Sequence, residues 1–182
     1  LDSPTQVPLT RAREFPVRLD REIPPGVLAG SDVESWRAVN RIWKSGGSVW
    51  REPGTGDFHP AAGAGRKLIR RPRLGLYKGF VPNMDEGWTR WLLEQFEFDF
   101  QSVSNADIRS GSLRQRYDVL VFADQAPASI ALGHRPGSMP PEFTGGLDAE
   151  GAQALKEFAR EGGTLIFLNR ATGYAIEQLD IK

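Results

Sequence analysis

The sequence predicts an α/β domain with an open, mainly parallel sheet flanked by helices. Three observations carry that expectation. Asp118-Val119-Leu120-Val121-Phe122-Ala123 is a continuous apolar run, as expected of a strand covered on both faces. Amphipathic helical stretches alternate with short strand-like runs. The turns between them are short and rich in glycine, the grammar of right-handed βαβ crossovers.

Taken in order, residues 1–25 are rich in Pro and Arg, show little periodicity, and read as an extended arm closed by Pro24-Pro25-Gly26. Val27-Leu28-Ala29 is a candidate strand. Ser31-Asp32-Val33-Glu34 fits a capping box, with the Ser31 hydroxyl accepting a helix amide and Glu34 reaching back. Val33, Trp36, Val39, Ile42 and Trp43 then recur at spacings of three and four, on one helix face. Gly46 stands where a left-handed C-terminal cap belongs. Ser48-Val49-Trp50 is the next expected strand, and residues 52–65 an expected loop. Residues 26–70 are therefore read as a β-α-β lead-in to a domain over 71–182.

That domain opens with a buried strand at Leu74-Gly75-Leu76-Tyr77. Asn83 is placed to cap a helix whose inward positions are Trp88, Trp91, Leu92 and Phe96. Phe98 to Val103 alternates as a strand does. After the strand at 118–123, residues 124–146 read as a long loop. A helix from Asp148 to Arg160 should turn Ala152, Leu155, Phe158 and Ala159 inward. Thr164 to Leu168 reads as a further buried strand, with a helix around Ala175-Ile176-Glu177 behind it. The two helix exits, Lys44-Ser45-Gly46-Gly47 and Arg160-Glu161-Gly162-Gly163, look like one solution to the same turn.

Composition narrows the function classes. Lys plus Arg number 23 and Asp plus Glu number 23, so net charge is zero and nothing global draws the chain to nucleic acid. The basic run from Arg66 to Arg73 reads as a strand and its solvated flank. No stretch approaches the about 18 apolar residues of a membrane span. The absence of cysteine excludes disulfides, thiolate metal sites and cysteine nucleophiles. His59 and His134 lie in Gly/Pro-rich loops with no paired metal-ligand spacing, which makes both expected surface residues. No Gly-x-Ser-x-Gly elbow follows Phe122, and neither Gly54-Thr55-Gly56 nor Gly63-Ala64-Gly65 opens a helix. No catalytic residue, metal or cofactor is expected.

Open α/β sheets bind ligands beyond the carboxyl ends of their strands. The candidate binding residues there are Asn83, Asp85, Asp124, Gln125 and Asn169. Several acceptors and few cations suit a small hydroxylated or cationic ligand. Each has a plainer role as a helix cap or turn residue. An acid–base pair drawn from Asp85, Asp124 and Glu142 is the enzyme alternative. The loop from Ala126 to Gly146 has the length to cover such a site.

Particular words resemble a known family. They include Arg73-Leu-Gly-Leu-Tyr77, Met84-Asp-Glu-Gly-Trp-Thr-Arg-Trp91 with its continuation to Phe96, Asn105-Ala-Asp-Ile-Arg109, Tyr117-Asp-Val-Leu-Val-Phe122, Pro141-Glu-Phe-Thr-Gly-Gly146 and Gly162-Gly-Thr-Leu165. They resemble the class I glutamine-amidotransferase-like domain that follows the catalytic domain in large bacterial zinc carboxypeptidases of the carboxypeptidase A class. Residues 27–70 resemble the segment preceding that domain. The resemblance implies a flavodoxin-like fold, a peptidase domain as partner, and a secreted or periplasmic location. It transfers no catalytic residue, because the zinc ligands have no counterpart and the Cys-His-Glu triad lacks its Cys. It also implies that the chain is a piece of a longer one, with last strands beyond Lys182. A stand-alone binding or assembly module, similar to trehalose-utilisation-type proteins or β-galactosidase trimerisation domains, is the alternative.

Overall fold

A computed structural model describes residues 26–179. The expected arm at 1–25 and the last three residues lie outside the described residues.

The lead-in begins with helix α1, Glu34–Lys44. Its start differs from the capping-box expectation: the Glu34 amide donates to Asp32 Oδ1 at 3.0 Å, so Asp32 caps the helix and Ser31 stays out. Strands β1 (Val49–Arg51), β2 (Phe58–His59) and β3 (Lys67–Ile69) follow. They form a separate antiparallel sheet in the order β2-β1-β3. This corrects the β-α-β expectation. Val27 to Ala29 contributes only a bridge between Leu28 and Phe58, and the expected loop at 52–65 folds back as β2. Connections this short join antiparallel neighbours, whereas a parallel crossover needs a dozen or more residues. Leu28, Val39, Val49 and Phe58 form the small core, with Trp36, Ile42 and Trp43 packed against it.

The main sheet contains β4 (Leu74–Tyr77), β5 (Phe100–Val103), β6 (Val119–Phe122) and β7 (Thr164–Phe167). All are parallel, in the order β5-β4-β6-β7. This is the expected open α/β, flavodoxin-like arrangement. Between them run α2 (Met84–Gln95), α3 (Asn105–Arg109), α4 (Leu113–Arg116), α5 (Pro127–Ala131), α6 (Asp148–Arg160) and α7 (Ala171–Gln178). Helices α3 and α4 have no counterpart in the sequence reading, being too short to show a period. The expected loop at 124–146 carries α5 and a 3₁₀ turn at Pro141–Phe143.

The register assigns every strand side chain to a face. Leu120 pairs with Leu165 and Phe122 with Phe167 on the back face. There the Phe122 and Phe167 rings stack with centroids 4.5 Å apart, joined by Tyr77, Val103, Leu155, Phe158 and Tyr174. Gly75 lies in the same layer because a Cβ would fall 2.6 Å from both Leu120 and Val103. The front face carries Leu74, Leu76, Val119, Val121, Thr164 and Ile166, and among the described helices α2 lies upon it.

Three inward assignments fail on these faces. Ala159 is exposed on α6. Strand β7 is the sheet edge rather than a buried strand, with Ile166 38% exposed. On α2, Trp88, Trp91 and Leu92 point away from the sheet, at 62, 51 and 50% exposure. The helix period is right but the buried stripe is Glu86, Thr89, Arg90 and Leu93. Glu86 reaches this position because Arg90 grips it, and Arg90 also donates to Ser102 Oγ at 2.9 Å. A paired charge with a long aliphatic stem can occupy a sheet-facing position.

The three long helix exits leading into strands share one geometry. Gly47 N donates to Ile42 O at 2.9 Å, Gly163 N to Phe158 O at 2.8 Å, and Phe98 N to Leu93 O at 2.9 Å. The residue before each donor is left-handed: Gly46 at φ 82°, Gly162 at φ 85° and Glu97 at φ 56°. Glu97 is the exception to glycine at this position. Its carboxylate accepts from Arg41 Nε at 2.7 Å and lies 3.7 Å from Lys44 Nζ. The Arg37 Nε donates to Gln95 O and the Asn40 amide to Phe96 O. Thus α1 caps the carbonyl end of α2 with cations and amides, fixing the lead-in to the main domain.

Candidate functional site

The carboxyl ends of β4, β6 and β7 lie on one side of the sheet, where the sequence places all five candidate binding residues. Beyond β4 the chain turns through Lys78 to Pro82 into α2. The Asn83 side chain accepts from the Asp85 amide at 3.0 Å, so Asn83 is the helix cap. A recess of about 360 Å3 opens here, lined by Tyr77, Lys78, Phe80, Asn83 and Glu86 among others. Of the five candidates only Asn83 lines it.

Asp124 and Asn169 come together. The Asn169 amide donates to Asp124 Oδ2 at 2.6 Å, and Arg170 donates to Oδ1 through Nε at 2.7 Å and through its backbone N–H at 3.3 Å. The Arg170 guanidinium, then the Asn169 amide, hold the Asp124 carboxyl below the usual carboxylate range. Asn169 adopts φ 48°, a left-handed conformation that Asn tolerates and that turns β7 sharply into α7. Asp124, and more weakly Asp85, favour the charged form of Arg170. Arg170, which was not among the five expected binding residues, is the residue that ties the turn after β7 to Asp124. Its signal was its place next to Asn169 in the strand-end turn.

Gln125 is buried, and its Nε2 has no hydrogen-bond partner among the described residues. It does not share the Asp124 network. A second buried polar group sits deeper. Tyr77 Oη donates to Asn105 Oδ1 at 2.7 Å, and the Asn105 amide donates to Gly145 O at 3.1 Å. Burial pushes the Tyr77 phenol far above its ordinary value and the Tyr174 phenol up to about 12. Both phenols stay protonated and neutral, as the environment of a sheet core requires.

The segment from Ala126 to Gly146 folds largely on itself. His134 bridges to Gly145, Leu147 N donates to Ile130 O, and a Cβ on Gly133 would meet Gly145 O at 2.0 Å. Its 3₁₀ turn reaches the recess through an edge contact of Phe143 with Phe80, centroids 5.2 Å apart. Glu142 is exposed on that turn. The two histidines are far apart in role as well as in sequence. His59 is buried in the lead-in rather than at the surface, with Nε2 3.3 Å from Glu52. His134 is half-buried.

Among the described residues, no group of three or more His, Cys, Asp or Glu is placed to hold a metal ion. No helix among them is long and apolar enough to cross a membrane. Comparison of the chain with protein-family models, with curated proteins and with solved structures finds no match.

Proposed function

We propose that this chain is a non-catalytic accessory domain, of the binding or packing kind, and that it serves a bacterial zinc carboxypeptidase of the carboxypeptidase A class. The observation that supports the non-catalytic half is the state of the crevice. Asp124, the carboxylate best placed for chemistry, accepts three hydrogen bonds from Asn169 and Arg170. A carboxylate so bound is a poor proton acceptor, since general-base work near neutral pH requires a raised pKa. Its role is to tie the loop after β6 to the turn after β7.

The peptidase half rests on the sequence words from Arg73 to Leu165, Met84-Asp-Glu-Gly-Trp-Thr-Arg-Trp91 above all. A secreted or periplasmic location and a peptidase domain as partner come with it. The experiment is twofold. Glutaminase and carboxypeptidase assays on the purified chain should give no turnover. Turnover that survives repurification and disappears in Asp124→Ala would replace this reading with the enzyme one. An uninterrupted parent reading frame lacking an upstream His-x-x-Glu…His peptidase domain would remove the carboxypeptidase assignment and favour the stand-alone assembly module.

A further inference from the structure

The main sheet changes its winding direction at β4. The chain leaves β4 for β5 on one side and comes back to β6 on the other. The crevice outside the carboxyl ends at such a switch point is where an open α/β sheet receives a ligand. The recess of about 360 Å3 lies there, beyond β4. That volume is at the small end of the roughly 300–1,000 Å3 of ligand pockets.

The charged side chains in its wall are Lys78 and Glu86. Glu86 stands in the first turn of α2 and is 7% exposed. Arg90 answers it on one oxygen alone, since Nε and Nη2 both donate to Oε1. Oε2 accepts no hydrogen bond among the described residues. Buried polar atoms in a native fold are normally partnered, so an unshared oxygen at this depth calls for a donor. Glu86 belongs to the recess wall and Arg90 does not, which puts the unshared oxygen on the recess side.

Lys78 continues the front row of β4. Its N–H donates to Val103 O at 2.9 Å, so the β4–β5 ladder runs on through it. Side chains alternate along a strand, and Lys78 therefore follows Leu74 and Leu76 onto the face that carries α2. It is exposed, with no ion pair or side-chain hydrogen bond among the described residues. Two opposite charges thus share one recess and one side of the sheet without pairing to each other. The rest of the wall is apolar or backbone. Phe80 is 42% exposed and meets the equally exposed Phe143 edge-on. The backbone N–H groups of Gly79, Phe80 and Val81 make no hydrogen bond among the described residues.

We propose that this recess binds a small zwitterion, an α-amino acid with an apolar side chain. Its ammonium group donates to Glu86 Oε2. Its carboxylate accepts from Lys78 Nζ and the loop N–H groups, and its side chain lies against Phe80. Charge-assisted bonds of this kind are the strong ones. A simple cation would be opposed by Lys78 and a simple anion by Glu86, whereas a ligand of both signs answers both. The inference rests on the binding half of the function proposed above and is independent of the peptidase assignment.

The test is calorimetric titration of the 182-residue chain with L-phenylalanine, with phenethylamine, which lacks the carboxylate, and with hydrocinnamate, which lacks the ammonium group. Phenylalanine should bind about tenfold or more tighter than either, the usual worth of one charged hydrogen bond. Lys78→Ala, at an exposed residue, should weaken phenylalanine about tenfold without weakening phenethylamine. Glu86→Gln should weaken phenylalanine to a similar degree without weakening hydrocinnamate. Thermal melts check its fold, and Lys78→Ala decides alone if that variant unfolds. No binding of phenylalanine at millimolar concentration overturns the site and leaves the packing role standing. Equal affinity for the amine or the acid overturns it too, as does phenylalanine affinity unchanged in Lys78→Ala. Turnover in the glutaminase and carboxypeptidase assays would instead remove the non-catalytic reading, whatever the titrations give.

Discussion

The two faces of the four-stranded sheet are made from the same strands, yet they differ in kind. The back face buries Tyr77, Val103, Leu120, Phe122, Leu155, Phe158 and Tyr174 under α3 to α7, with aromatic rings in direct contact. The front face has a buried patch of Leu74, Leu76 and Val121, bordered by α2, and then opens. Strand composition hardly distinguishes them, since Thr164 is the one polar residue on either face of β6 and β7. What separates them is how many helices each receives, and that is set by the connections. The lesson is that an apolar run reports a strand's capacity for burial, while coverage is decided by elements elsewhere in the chain.

The comparison makes its largest claim at Phe158, which fills the back layer from α6. Phe158→Ala should destabilise the domain by about 3–5 kcal/mol, measured by denaturant unfolding of the dilute protein. A loss under about 1 kcal/mol would mean that the back face is no better packed than the front. Next comes Gly163, where a Cβ would sit 2.4 Å from the Phe158 ring. Gly163→Ala forces that ring to move and should cost about 1–3 kcal/mol by the same measurement. Gly47 is the matching position in the lead-in, with Ile42 Cγ2 2.7 Å away. The aliphatic side chain yields more easily than the ring, so Gly47→Ala should cost less.

A smaller effect is expected under acid. Asp118, at the amino end of β6, accepts from Arg73 Nε and Nη2 at 3.1 and 2.8 Å and pairs with Arg114. Those guanidiniums hold its carboxyl far below the usual carboxylate range. The folded pKa is below the unfolded one, so the stabilisation is present above the unfolded value, about 3.9. It is lost as pH falls from there through the folded value. Thermal melts between neutral pH and pH about 2 should show a decline that is shallower in Asp118→Asn. Equal slopes in the two proteins would show that the cluster does not contribute. The smallest effect belongs to the front of α2. Trp88→Ala should change monomer stability by about 0.5 kcal/mol or less in dilute solution, being exposed. A cost comparable to that of Phe158→Ala would show that Trp88 is packed within a single chain.

Much of the site was legible because turns have local causes. Asn83 as a helix cap follows from its side-chain chemistry and its position before an apolar period. Gly46 and Gly162 follow from the left-handed backbone that ends a helix. Asp124 and Asn169 could be placed at strand ends, but their joining by Arg170 could not. That bond brings together residues more than forty positions apart. The burial of Gln125 and the Tyr77–Asn105 pair were likewise beyond reach, since each depends on which element lies on top.

The four strands of the main sheet, their parallel sense and the glycine exits were determined by the amino-acid sequence itself. Hydrophobic period, turn chemistry and connection length act within a few residues of one another. Only the tertiary structure decided which stripe of α2 faces the sheet. The period allowed either the tryptophans or the Glu86–Arg90 stripe inside, and the choice fell to Ser102 and Phe100 on β5, which receive Arg90. It also decided that 49–69 forms a three-stranded antiparallel sheet with β1 at its centre, and that β7 ends as a half-covered edge. A strand's neighbours and the cover on its faces are set by chain segments far away in sequence, and no local pattern carries that information.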